Sequence, residues 1–295
     1  MKVLNFGSLN LDYVYDVDHF VREGETISSM DMNIFCGGKG LNQSVALAKA
    51  GAKVYHAGAV GSADGGMLLD TLSSLGVDIS YIERYDISSG HAIIQKNKAG
   101  NNCILLYGGA NQNIDKEFIK EVLKEFDSGD ILLLQNEISN LAFIIDEGYA
   151  KGMRIVLNPS PINEKIFECD IEKVEYLILN EIEAADILGI TCIDEDELVE
   201  KLTKRFSNTK IVLTLGEKGS VYVDKYEKIK QEIYKTEVVD TTAAGDTFTG
   251  YFIAGITSGL DVKHALKQAA MASSIAVGRK GASPSIPFAK EICEK

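Results

Sequence analysis

Short apolar runs alternating with longer helical patterns constrain the fold of this chain more than any other feature. Runs at 3–7, 54–60, 131–134, 154–157, 176–179 and 210–215 are strand-sized and carry little polar interruption. Between them, apolar spacing predicts helices over 39–50, 65–75, 116–126, 141–151 and 181–188. Strands that are apolar almost throughout are buried on both faces, as in a parallel sheet with helices on either side. Four prolines in 295 residues, with no linker, repeat or low-complexity stretch, leave nowhere to divide the chain. The expectation is one α/β domain over 1–295 with a largely parallel central sheet and helices on both faces.

Two segments break the rhythm. Residues 12–35 and 88–107 alternate with period two around turn residues such as Arg22, Glu23 and Gly24, or Lys98, Ala99, Gly100 and Asn101. They predict short antiparallel strands projecting as a β lid over the carboxyl ends of the main strands, where ligands bind in open α/β sheets. From Asp240 onward the chain turns helical and rich in Ala and Gly.

Composition excludes several classes. Apolar residues at 45% and charged residues at 25% are those of an ordinary globular protein. No apolar run reaches the roughly 18 residues of a membrane span, and residues 1–6 carry no signal-peptide pattern. A cytoplasmic protein without a membrane partner is expected. Thirty Lys and Arg against 43 Asp and Glu give a net charge of −13, which repels a nucleic-acid backbone. The most basic stretch, 225–230, reads as solvated turn and edge. Cys36, Cys103, Cys169, Cys192 and Cys293 form no C-x-x-C pair and the four histidines are dispersed, so no zinc site can be drawn.

The most informative stretch is 240–250. A strand-like 236–239 leads into Ala243, Ala244 and Gly245, small residues at a predicted helix start. Their N–H groups can face an anion, and the helix dipole favours negative charge there. Asp246 sits in the first turn, placed to accept a proton from a hydroxyl attacking a bound phosphoryl group. An acid in that turn also serves simply to complement the dipole, the commoner role for such a residue alone.

Gly37, Gly38 and Gly40 surround Lys39 just ahead of Asn42 and Gln43. So many glycines imply unusual backbone conformations or a close ligand, although a tight turn into a helix would suffice. Neither the Walker loop nor G-x-G-x-x-G occurs. Asn10 and Asp12 follow the first strand and share one side of an extended segment; an Asx turn is the plainer alternative. Glu137 after 131–134, and Asn180 with Glu183 after 176–179, repeat this placement of polar groups past apolar strands, so all converge on one sheet edge.

With these motifs assembled, the chain resembles the ribokinase family of ATP-dependent carbohydrate kinases. Residues 37–43 resemble the family's N-terminal motif, 240–250 its C-terminal motif, and 279–285 its C-terminal stretch. The resemblance spans essentially the whole chain. It implies that Asp246 is the catalytic base toward a sugar's primary hydroxyl, with Ala243, Ala244 and Gly245 as the anion hole. It implies that Asn10, Asp12, Gly38, Lys39, Asn42 and Glu137 hold sugar hydroxyls. Asn180 and Glu183 match an N-x-x-E element acting on Mg2+ and phosphate largely through water, and Thr214, Gly216 and Gly219 match a nucleotide-binding turn, with ATP as the phosphoryl donor. Asp240, Thr242, Ala276, Arg279, Gly281 and Ser285 match a K+ site. The lid would pair two subunits into a homodimer.

Some positions depart from the family pattern. Leu41 replaces a usual alanine on a helix face, which reads as packing, and Ala270 stands where some members place a histidine beside adenine. His91 and Gln95 face away from the sugar if Ala92 faces it; a register shift of one would put His91 on the substrate. Asn136 adds a polar group beside Glu137. D-ribose, giving ribose 5-phosphate, is the expected substrate; 2-deoxyribose, another sugar or a nucleoside are rivals in the same class, and a non-catalytic sugar- or nucleotide-sensing protein is the rival outside it.

Overall fold

A computed structural model describes residues 1–191 and 194–293; Cys192 lies outside them. The chain runs β1 (Val3–Phe6), β2 (Asn10–Val17), β3 (Asp31–Gly37), α1 (Lys39–Lys49), β4 (Val54–Gly61), α2 (Gly66–Ser74) and β5 (Asp78–Tyr85). It continues through β6 (Gly90–Asn97), β7 (Asn102–Tyr107), α3 (Lys116–Lys124), β8 (Ile131–Gln135), α4 (Leu141–Ala150) and β9 (Arg154–Asn158). The remainder is β10 (Tyr176–Asn180), α5 (Glu181–Leu188), α6 (Glu195–Arg205), β11 (Lys210–Thr214), β12 (Ser220–Val223), β13 (Lys228–Gln231), α7 (Ala244–Thr257), α8 (Val262–Val277) and α9 (Ala289–Cys293).

Nine strands form the main sheet in the order β13-β12-β11-β10-β9-β8-β1-β4-β5. Every pairing is parallel except β11–β12 and β12–β13. Strand alternation sorts the core into two layers. Leu4, Leu132, Leu177 and Ile211 pack under α3–α6, while Val3, Ile131, Tyr176 and Val212 pack under α1, α2, α7 and α8. Each layer is closed on its far side by the apolar stripe of its helices, so neither sheet face meets water.

A second sheet has the order β3-β2-β6-β7. It corresponds to the predicted lid, with one difference: β2–β3 and β6–β7 are antiparallel hairpins, but β2 and β6 join them in parallel. Asp12 pairs with Ala92 in that register, so both point to one face, and His91 and Ile93 point to the other. His91 packs its ring on Tyr13 and Tyr107, and Gln95 accepts a bond from Val21 N–H.

One expectation is corrected. Residues 236–239 are not a strand; Val238 and Val239 are exposed, and Val239 and Asp240 donate N–H groups only to Val277 O at the end of α8. The alternation there reflects an extended tether with no ladder partner. Edge strand β5 and helix α6 were not anticipated, since β5 is half-exposed with an irregular pattern and α6 is mostly charged. The basic stretch does end in edge strand β13, whose Lys228 and Lys230 pair with Asp196 and Glu195.

Candidate active site

A cavity of about 220 Å³ opens at the carboxyl ends of β9, β10 and β11, against the N-terminus of α7. Lys39, Asn180, Glu183, Thr214, Ala243, Ala244, Gly245 and Asp246 all line it, together with Asn158, Thr241 and Thr249. Of the residues the sheet-edge argument named, Asn180 and Glu183 line this cavity; Asn10, Asp12 and Glu137, like Gly38 and Asn42, are not in its lining.

Three helices, α1, α5 and α7, begin at this edge, and the N-termini of α1 and α7 differ. At α1 the orphan N–H groups are already satisfied: Glu137 Oε2 accepts from Lys39 N–H at 2.9 Å, and Ser8 Oγ from Gly40 N–H at 3.1 Å. At α7 no side chain caps the helix; Ala243 takes a left-handed conformation (φ 58°) and the Ala244 N–H turns back to Thr241 O at 3.2 Å. Left-handed backbone costs an alanine roughly 1–2 kcal/mol, and here it turns the uncapped first turn toward the cavity. A Cβ built on Gly245 meets nothing within 4 Å, so the missing side chain leaves open space and not a packing contact.

Asp246 is buried, at 7% exposure, and both its oxygens are held. Asn42 Nδ2 donates to Oδ2 at 3.1 Å and Gln43 Nε2 to Oδ1 at 2.9 Å. Asn42 lies on α1, which can approach β1 because Gly40 has no side chain: a Cβ there would stand 2.3 Å from Ser8 N. Gly38, just before the helix, has φ 90°, which only glycine adopts without strain.

On the lid side, Asn10 Oδ1 accepts from Asn111 at 2.8 Å. Burial, then the charge of Glu137, pushes the Asp12 carboxyl up to about 7. Burial also raises Glu137, against hydrogen bonds from Ser8 and the Lys39 N–H. Burial disfavours the Lys39 ammonium, but the carboxylates of Asp246, Glu137 and Glu183 outweigh it and leave its pKa raised. A lysine ringed by three acids is a cation set between the two halves of the site.

Other predicted residues lie in different arrangements. Asn180 and Glu183 cap α5 reciprocally, Asn180 Oδ1 accepting from Glu183 N–H at 2.9 Å and Glu183 Oε2 from Asn180 N–H at 3.0 Å. Thr214 reaches the cavity, whereas Gly216 and Gly219 flank a turn beyond its lining. Asp240 joins the other predicted group: its Oδ1 accepts from Thr242 N–H and Oγ1, and its Oδ2 from Gly281 N–H at 3.0 Å. The Ala276 carbonyl accepts from Arg279 N–H, and Ser285 Oγ donates to Ala282 O. Asn136 points away, donating to Pro161 O and Asn163 Oδ1. Among the described residues no cluster of three or more His, Cys, Asp or Glu could hold a metal. The acids facing the cavity instead suit a Mg2+ carried chiefly by phosphate oxygens and water, as that ion prefers.

Gln43, Asn158 and Asn111 were not singled out from sequence. Asn158 follows an apolar strand as Asn180 does, so the same pattern would have found it. Gln43 stands one position past Asn42, off its helix face, and nothing in spacing tied it to Asp246.

Comparison with known proteins places the chain in a family. The model of the pfkB family carbohydrate kinases covers residues 1–289. The chain belongs to that family, and it is a phosphotransferase acting on a sugar hydroxyl. Within the family it is a ribokinase-type sugar kinase. It is similar to a ribokinase of Haemophilus influenzae, 33% identical over 98% of this chain and 96% of the other. It is similar to a deoxyribokinase of Salmonella typhi, 29% identical over 100% of this chain and 98% of the other. A structure of Arabidopsis thaliana ribokinase complexed with ribose and ATP superposes with a TM-score of 0.87, at 28% identity over 99% of this chain and 97% of that one.

Proposed function

We propose that the protein transfers the γ-phosphate of ATP to the primary hydroxyl of D-ribose, with Asp246 as general base. The observation that carries this reading is the placement of a buried, amide-held carboxylate in the first turn of the one helix whose start is uncapped and open to the cavity. The hydroxyl proton goes to Asp246 as the new O–P bond forms and the β–γ bridge breaks. The first-turn N–H groups of α7 stabilise the charge that develops on the transferred group, and Lys39 adds a cation between donor and acceptor. Mg2+, when bound, neutralises phosphate charge; Glu183 and Asn180 hold it through water.

Asn10 and Asp12, fixed on the root of the lid, take sugar hydroxyls beside Gly38 and Lys39, and Glu137 offers the oxygen that α1 leaves free. Thr214 with Gly216 and Gly219 forms the nucleotide side. Asp240, Thr242, Ala276, Arg279, Gly281 and Ser285 supply oxygens for K+, a hard cation suited to such a set. The lid pairs two copies through its exposed Ile104, Leu105, Leu106 and Tyr107. No helix among the described residues is long and apolar enough to cross a membrane, and a cytoplasmic enzyme is the reading that fits its substrates.

A second reading, 2-deoxyribose as acceptor, is favoured by the similarity to the deoxyribokinase. ADP release from MgATP in potassium buffer, with D-ribose, 2-deoxyribose, fructose, ribulose and adenosine added separately, tests both. Highest kcat/KM with D-ribose supports the first; preference for 2-deoxyribose replaces it with the second, and preference for any other compound overturns both.

A further inference from the structure

Behind Asp246 lies a continuous row of buried side-chain amides. Gln43 Nε2 donates to Asp246 Oδ1 and, at 3.2 Å, to Asn158 Oδ1. Gln43 Oε1 accepts from Gln135 Nε2 at 2.7 Å, and the same Gln135 nitrogen donates to Asn5 Oδ1 at 2.9 Å. Asn5 Nδ2 then donates to Gly40 O at 2.7 Å and to Ser44 Oγ at 2.8 Å. Asn5, Gln43 and Gln135 are each 0% exposed.

The orientations along this row are not interchangeable. Gly40 O is a main-chain carbonyl and can only accept, so Asn5 must turn its NH2 toward it and its oxygen toward Gln135. Gln135 must then present its NH2 both to Asn5 and to Gln43, and Gln43 is left with its own NH2 toward Asp246. Gln135 Oε1 has no hydrogen-bond partner, and it lies where a Cβ on Gly7 would stand, 2.4 Å away. A buried orphan oxygen costs roughly 1–3 kcal/mol; the alternative flip would not satisfy it, since it would then face the oxygens of Asn5 and Gln43, and both of those would lose their donor. With the row broken, Gln43 could rotate and offer its oxygen to the Asp246 carboxylate.

We infer that Gln135, at the end of β8 and outside the cavity lining, is a positioning residue that fixes the Gln43 amide and through it the Asp246 carboxylate. This rests on the reading of Asp246 as base. It assigns a task in the reaction to a residue that touches neither the cavity nor the carboxylate.

The test compares Gln135→Met, Gln43→Met, the double variant and Asp246→Asn, using MgATP with the better of D-ribose and 2-deoxyribose. Gln135→Met is expected to lower kcat at least about tenfold with both KM values within about threefold. Because Gln135 acts through Gln43, the double variant should be no slower than Gln43→Met, within about twofold. A kcat within twofold of the parent, a KM that rises with the fall in kcat, or losses that multiply in the double variant would each overturn the inference. Should Gln135→Met not fold, as judged by thermal unfolding, Gln135→Glu keeps the shape and sets an acceptor against Gln43 Oε1; the same loss, deepening as pH rises, is expected, and an unchanged profile overturns it. Near-normal turnover in Asp246→Asn would instead remove the base itself, an outcome separate from the others.

Discussion

Asn42 and Asp246, 204 positions apart, meet inside the domain with Nδ2 and Oδ2 at 3.1 Å, while Asn42 Oδ1 accepts from Ser283 Oγ at 2.9 Å. Ser283 thus turns the amide so that its donors face the carboxylate. One N–H of a residue expected to hold sugar is already committed to the Asp246 carboxylate.

Asp246→Asn is expected to cut kcat by about 10²–10⁴-fold, the usual contribution of a positioned general base. The isosteric amide keeps the cavity's shape, so sugar and ATP dissociation constants, read by calorimetry, should stay within a few-fold of the parent.

Gly245→Ala separates stability from activity. A glycine inside a helix is destabilising by roughly 0.5–1 kcal/mol relative to alanine, and the added methyl meets no atom of the protein within 4 Å. Thermal unfolding should therefore show an unchanged or raised Tm, with kcat/KM for MgATP lowered at least about tenfold as the methyl enters the anion site.

Asp12, with its pKa pushed to about 7 by burial and then by Glu137, makes the fold lose stability with rising pH. Between about pH 4 and 7 the unfolded chain has released this proton and the folded chain has not, so the loss accumulates across that window. Asp12→Asn should unfold at a higher urea concentration than the parent at pH 8 and at a similar one at pH 4.

His56 acts in the opposite sense. Burial, partly offset by the Gly7 carbonyl, lowers its pKa from 6.5 to about 4, and the ring bonds Ser44 Oγ at 2.8 Å and Gly7 O at 3.2 Å. Stability falls as pH drops from about 6.5 toward 4, because only the unfolded chain takes up the proton; the full loss is about 3 kcal/mol. His56→Gln should flatten that acid slope in urea titrations.

Leu105 is 67% exposed on β7, beside Ile104 at 56%. Leu105→Asp should leave the fold intact and convert a dimer to a monomer in sedimentation equilibrium at micromolar concentration, because a charge buried in an apolar interface lacks a partner. A parent that already sediments as a monomer would remove the lid from the account of assembly.

The parts of the molecule legible from sequence were those whose signal is local. Apolar strands such as β8 and β10 announced the parallel sheet, and the polar residues just past them announced the site edge. Ala243, Ala244, Gly245 and Asp246 announced a helix start, which is where α7 begins, but an acid there has a plainer role with the helix dipole, and only the family resemblance singled it out. Gln43 and Gln135 were not, since an amide's partner is set by three-dimensional packing and either residue could equally have faced solvent. The tether at 236–239 misled because alternation reports an extended backbone, and only a neighbouring strand makes such a segment part of a sheet. The register of β6 decided what the sequence left open, turning Ala92 to the Asp12 face and His91 away.

The crossing of α1 and α7, where a Cβ on Gly250 would lie 2.3 Å from that of Ala46, joins an early part of the chain to a late one. The lid, the first strands and Asn42 emerge early, and the carboxylate they need arrives only with the last fifth of the chain. Until α7 docks on α1, Asp246 lacks both amide partners and the uncapped helix start has no cavity to face. On the proposed reading of Asp246 as base, a chain without α7 would have nothing with which to turn over ATP, and the site is complete only when the two helices are packed together.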